Sequence, residues 1–242
     1  MTATVEQLEL AAAATWSPDV SVYVDGWRVS SNGGFTRRLN SATAVGQAET
    51  SLVAKRSVTD WLSERGSPLV VRVTPLTDPS TAESCERNWF LAPRDETIVM
   101  TKPISENEMA TDMVEVDPLD KVFVEDLFTL NQRGPDDDDS WSRMVSRAAP
   151  DATGLWSPGV AVGFVAVSGT LAFVYSVAVE ATERRNGFGT EIMVAAESWA
   201  VKRGARSMTA QVLGTNAPAL GLYEGLGYCE AYRYHYLEAV TH

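Results

Sequence analysis

The 242-residue chain is 45% hydrophobic and 21% charged, the make-up of a soluble protein with one large or two small cored domains. A net charge of −12 argues against a nucleic-acid partner and leans toward a cationic or neutral substrate. No apolar run reaches the roughly 20 residues of a membrane span, and two distant cysteines (Cys85, Cys229) with two histidines suggest no disulfide framework, metal site or serine-histidine hydrolase. The expectation is a cytoplasmic protein with no metal, no nucleic acid and no membrane partner.

In chain order, Glu6 to Ala11 reads as a short helix, without the early positive charge of a secretory signal. Ser41 to Val45 and Leu69 to Val73 read as strands flanking a helix that ends at Trp61-Leu62-Ser63-Glu64-Arg65-Gly66. Just before the first of them, Arg37, Arg38, Asn40 and Ser41 form a polar cluster that faces either a junction between halves or a sheet edge. Leu119 to Gln132 repeats apolar residues at helical spacing and stops at Gly134-Pro135. After Asp136 to Asp139, Ser140 is placed to cap a second helix through Arg147. Val160 to Val167 and Leu171 to Val179 are β-branched and read as a hairpin across Ser168-Gly169-Thr170. A helix from Glu191 to about Arg203 ends at Gly204, then come a strand, Ser207 to Leu213, a helix, Ala217 to Leu226, and a last strand, Cys229 to Leu237.

The first half repeats this order. Trp61, Arg65 and Gly66 match Trp199, Arg203 and Gly204 at the same offsets, with a strand after each. Trp16-Ser17-Pro18 echoes Trp156-Ser157-Pro158, and the turn at Asn32-Gly33-Gly34 stands where Ser168-Gly169 stands later. Duplication explains that shared order, with halves at 1–104 and 105–242. The first copy's turn at Gly46-Gln47-Ala48 has neither a glycine pair nor an arginine, so it keeps the scaffold alone.

The chemistry concentrates at Arg184-Arg185-Asn186-Gly187-Phe188-Gly189-Thr190, between an apolar strand and a helix. The first helical amides have no partners inside the helix, and the helix dipole adds about half a positive charge there. Two glycines let a pyrophosphate approach those donors, and Arg184 and Arg185 add fixed charge. Ile192 stands where a third glycine would complete a dinucleotide fingerprint, and no phosphate-loop lysine is present. The spacing R-x-x-G-x-G, followed later by Asn216-Ala217-Pro218-Ala219 and Leu222-Tyr223-Glu224-Gly225-Leu226-Gly227-Tyr228, resembles the GNAT superfamily of N-acetyltransferases over about Leu119 to Leu237. The first half resembles the degenerate partner of tandem GNAT proteins.

That resemblance implies an α/β fold of two tandem halves with mixed central sheets, acetyl-CoA as cosubstrate, and acetylation of a primary amine by direct attack. It implies that the backbone of Val177, Ala178 and Val179 pairs with the pantetheine arm and that the amides from Arg185 to Thr190 hold the pyrophosphate. Asn216 contacts the cofactor, and Tyr223 lies near the thioester sulfur and protonates the leaving thiolate. Some members carry a glutamate base where this chain has Phe173, so the base stays unassigned. The loop of Asp136 to Asp139 borders the acceptor pocket in that fold and either draws in a protonated amine or caps a helix. A small-molecule amine is favoured, against a protein N-terminus or lysine, or a CoA-binding module without turnover. The oligomer is a monomer built as a pseudo-dimer of halves, or a homodimer.

Overall fold

Strands and helices alternate twice in the computed structural model, which describes residues 3–105, 111–134, 137–148 and 151–239. The first half runs α1 (Val5–Thr15), β1 (Val20–Val24), β2 (Trp27–Ser31), β3 (Ser41–Ala44), α2 (Leu52–Ser63), β4 (Val70–Val73), α3 (Pro79–Trp89) and β5 (Leu91–Pro103). The second runs β6 (Val114–Val116), α4 (Lys121–Leu130), α5 (Asp138–Ala148), β7 (Ala152–Ser157), β8 (Ala161–Ser168), β9 (Leu171–Val179), α6 (Phe188–Val201), β10 (Ser207–Leu213), α7 (Ala217–Gly225) and β11 (Cys229–Ala239). Among the described residues no helix is long and apolar enough to cross a membrane. Ser140, expected as a helix cap, instead lies inside α5, which starts on Asp138 and Asp139. Its buried hydroxyl donates to the Asn32 carbonyl of the first half at 3.0 Å.

The strands form one mixed sheet in the order β1-β2-β3-β4-β11-β5-β10-β9-β8-β7-β6. That order is nearly palindromic. β3 and β4 are parallel, as are β9 and β10. Each half's final strand crosses to the other side: β11 pairs with β4, β5 pairs with β10, and β5 and β11 pair with each other. The two sheets expected from the sequence are therefore joined into one. β5 and β11 change sides at the join.

The Trp-x-x-x-Arg-Gly repeat builds the same helix end twice. The Arg65 guanidinium lies 3.9 Å from the Trp61 ring centroid and donates to the Trp61 carbonyl at 2.9 Å. Arg203 lies 3.7 Å from the Trp199 ring and donates to the Trp199 carbonyl at 3.4 Å. Gly66 and Gly204 follow with φ of 72° and 85°, the left-handed ending that glycine adopts without side-chain strain.

Three apolar cores hold the sheet. α2 and α3 cover the first-half strands through Val58, Leu62, Cys85 and Trp89. α6 and α7 cover the second half through Ile192, Met193, Trp199 and Tyr223. The third core mixes the halves: Leu8 and Trp16, on and just after α1, pack with Phe123, Leu127, Trp141 and Phe164. Trp16 lies 4.5 Å from the Tyr175 ring, and the Thr15 and Tyr175 hydroxyls are 2.8 Å apart. The first half is thereby built into the ground beneath β9.

Candidate functional site

β9 and β10 run side by side from Leu171 and Ser207 to Val174 and Ala210, and then part. A bulge accompanies the split. Val162 pairs with Ala178 and Phe164 with Tyr175, so Ser176 and Val177 both oppose Gly163. Ser176 sits at φ 53°, a left-handed conformation that costs a non-glycine residue about 1–2 kcal/mol. Asn131 Nδ2 clamps it by donating to the Ser176 carbonyl at 3.1 Å. Gly163 is required opposite the bulge, because an added Cβ would lie 2.7 Å from Ile192 Cγ2 of α6. Past the split, Val177, Ala178 and Val179 have no strand on the β10 side among the described residues.

The turn after β9 leaves its amides without partners. Among the described residues, no backbone N–H from Arg185 to Thr190 has an acceptor, and α6 has no side-chain cap. Arg184, Arg185, Asn186 and Gly187 are exposed, while Phe188, Gly189 and Thr190 are half-buried. Two of these side chains serve the turn itself. Arg184 Nε donates to the Val179 carbonyl at 3.3 Å, and Asn186 Nδ2 donates to Glu183 at 3.2 Å. The two glycines differ in what surrounds them. Gly187 is the residue before α6 and takes φ 96°, whereas a Cβ on Gly189 would lie 3.1 Å from Leu222 Cδ2. Gly189 therefore lets α6 lie close against α7, the helix that carries Tyr223.

A cleft of about 400 Å³ opens where the strands part. The second half lines it with Ser176, Val177, Asn216 and Tyr223, and the first half with Arg37, Arg38 and Thr97. The polar cluster at Arg37 and Arg38 thus faces the junction of the halves. Arg37 pairs with Asp95 and with Glu238, the latter at 2.8 Å. Asn216 caps α7 by accepting from the Ala219 amide at 3.2 Å and also lines the cleft. The Tyr223 hydroxyl has no hydrogen-bond partner among the described residues, and burial pushes it up to about 12, so the phenol is neutral. Phe173 is buried and stacked on Tyr175 at 6.0 Å, which leaves no titratable group at that position.

None of the described aspartates 137–139 lines the cleft; Asp137 lies 3.8 Å from Arg133, and Asp138 and Asp139 start α5. Asp136 is outside the described residues. Sequence reasoning passed over Tyr234 and Gln211, whose side chains meet in the cleft at 3.0 Å. The alternation Tyr232, Tyr234, Tyr236 was their signal, since period two places three phenols on one face of β11. Burial pushes the Tyr234 phenol up, but the Arg38 and Arg72 guanidinia more than offset this and hold it below the usual tyrosine value. A larger groove, about 720 Å³, is lined by Asp95, Glu96, Glu224, Glu230 and Arg233. It touches neither the turn nor Tyr223, and its arginine is tied to Glu96 and Glu230 at 2.7 Å each.

The family model described as probable histone acetyltransferase Rv0428c C-terminal matches residues 2–237. An uncharacterized N-acetyltransferase, YobR of Bacillus subtilis (strain 168), is 22% identical over 96% of this chain and 97% of its own. A GCN5-related N-acetyltransferase structure from Kribbella flavida superposes with a TM-score of 0.71 at 14% identity, covering 100% of this chain and 98% of that one. A tandem GNAT protein from the clavulanic acid biosynthesis pathway gives 0.56 at 12% identity, over 76% of this chain and 68% of its own.

Proposed function

The chain belongs to the Rv0428c C-terminal family, within the GNAT superfamily of N-acetyltransferases, and from that premise we propose that it moves an acetyl group from acetyl-CoA to a small primary amine. One observation carries the reading: a run of unpaired amides at a helix start lies one short turn from a sheet that splits beside a buried tyrosine. The residues present fit the cofactor. The amides from Arg185 to Thr190 and the positive end of α6 would hold the pyrophosphate. The free edge of Val177 to Val179 would take the pantetheine amides as a strand would. Bound there, acetyl-CoA supplies the electrophilic thioester carbonyl.

Attack by the amine builds charge first on the carbonyl oxygen and then on sulfur. Tyr223, kept neutral by burial, is the donor for the leaving thiolate. Asn216 holds the start of α7 and so the placing of Tyr223. Arg37, Arg38 and Thr97 supply a wall that the second half lacks, which gives the first half its role in acceptor binding. A cleft of about 400 Å³ suits a small molecule better than a protein tail. The deciding test is release of CoA thiol over a panel of amines. Binding of acetyl-CoA with no thiol release from any amine would replace the transferase by a CoA-binding module.

Two further outcomes are expected. Gly187→Ala must hold a Cβ at φ 96°, so it should turn the amides and weaken CoA about tenfold by calorimetry, with kcat much less affected. The pH profile of kcat/KM should rise until the acceptor amine is neutral. A tyrosine acid of ordinary pKa would cut activity from about pH 10. Tyr223, pushed up to about 12, stays protonated above that, so the alkaline fall should lie beyond pH 10. A fall centred below pH 10 on an acceptor of higher pKa would exclude Tyr223 as the donor.

A further inference from the structure

The cleft is walled by hydrogen-bond donors and positive charge, although the whole chain carries −12. Arg37, Arg38 and Arg133 line it, and no aspartate or glutamate does among the described residues. Two of these arginines are compensated. Arg37 is held by Asp95 and Glu238, and Arg133 lies 3.8 Å from Asp137 and donates to the Phe35 carbonyl at 3.2 Å. Arg38 has no carboxylate within ion-pair distance among the described residues. The nearby carboxylate of Glu9 is already gripped by both Nη atoms of Arg72, at 2.5 and 2.8 Å, and by the Tyr232 hydroxyl. Two guanidinia thus share one carboxylate, and the buried surplus is one positive charge.

The donors are in surplus too. Arg38 Nη2 donates to the Tyr234 hydroxyl at 3.3 Å, but its Nε is enclosed with no acceptor. Its Nη1 makes no hydrogen bond among the described residues and is not enclosed. The Tyr234 hydroxyl also meets Gln211 Oε1, and Gln211 Nε2 is a second enclosed donor without a partner. Unpaired buried donors and an unneutralised guanidinium are costly unless something fills them. The low-lying Tyr234 phenol registers the same positive field.

We propose that the acceptor amine carries an anionic group, a carboxylate or a phosphate, which is received by Arg38 with Gln211 and Arg133 beside it. This rests on the acetyltransferase reading and narrows it. The amine end reaches toward Tyr223 and Ser176, and the anionic end toward the first half. A lysine in a basic protein tail meets the wrong charge there. An anionic group on the acceptor departs from the cationic or neutral substrate expected from the net charge of the chain.

Matched pairs test it: β-alanine against β-alaninamide, 2-aminoethyl phosphate against ethanolamine, with spermidine and a lysine-rich peptide alongside. CoA-thiol release should favour the anionic member of at least one pair by about 10-fold or more in kcat/KM, the size of one hydrogen bond to a charged group. Which pair discriminates separates carboxylate from phosphate. Arg38→Gln should bring that ratio toward one with KM for acetyl-CoA unchanged; if it does not fold, Arg133→Gln should lower the ratio in the same sense. Thiol release that is equal or better with neutral or cationic amines overturns the proposal and leaves the transferase standing. If no amine is acetylated, calorimetry with CoA present compares N-acetyl-β-alanine with its amide, and equal or absent binding of the acid overturns it as well.

Discussion

Tyr223→Phe should slow acetyl transfer about 10²- to 10⁴-fold, the usual loss for one proton donor, with KM for acetyl-CoA nearly unchanged. The substitution removes only the hydroxyl. The ring stays in the α6–α7 core beside Tyr228, 5.7 Å away, and no hydrogen-bond partner among the described residues is orphaned. Stability should therefore hold, and a loss of rate reports chemistry rather than unfolding. Steady-state kinetics with thermal melting of both proteins reads the two quantities separately. A rate within about twofold of the parent would remove Tyr223 from proton transfer, since even the weakest general acids contribute more. A raised KM for acetyl-CoA at unchanged kcat would instead make it a binding residue.

What the sequence discloses follows the range of the interaction responsible. The turn from Arg184 to Thr190 is local, built from a strand end, a left-handed glycine at Gly187 and a helix start, so its residues lie together in one short stretch. The Trp-Arg-Gly helix ends are local as well, and their repetition reveals two halves. The cleft is different. Arg38 and Gln211 both meet Tyr234, Arg38 from 196 positions away, only because β11 crosses beside β4 and β5 lies against β10. No periodicity encodes that exchange. α3 escapes pattern reading for another reason: it is mostly polar, with only Thr81, Cys85 and Trp89 buried. Whole-chain charge does not report the cleft, whose described lining includes Arg37, Arg38 and Arg133 and no carboxylate.

The exchange also exposes the fold to one substitution. Glu9→Gln should destabilise the protein by about 3–5 kcal/mol at pH 7, the cost of leaving one partner of a buried ion pair alone. Glu9 and Arg72 have side chains 13% and 4% exposed, and they tie α1 to β4, with Tyr232 of β11 closing the group. A neutral amide cannot offset Arg72, which also lies 3.9 Å from the Tyr234 ring at the cleft wall. The sign with pH is fixed by the carboxyl. Burial raises its pKa, but Arg72 lowers it further, so the folded value lies below the ordinary one. The stabilisation is then complete above the unfolded value of about 4.3 and drains away as pH falls through the lower folded value. Urea unfolding should show the parent losing stability steeply below about pH 4, and the variant losing much less because it has no such carboxyl to protonate. KM for the acceptor should rise along with the loss, since Arg72 props the same tyrosine that Arg38 touches. A variant within about 1 kcal/mol of the parent at pH 7, with the same acid limb, would mean that the pair between α1 and β4 holds neither the fold nor the cleft.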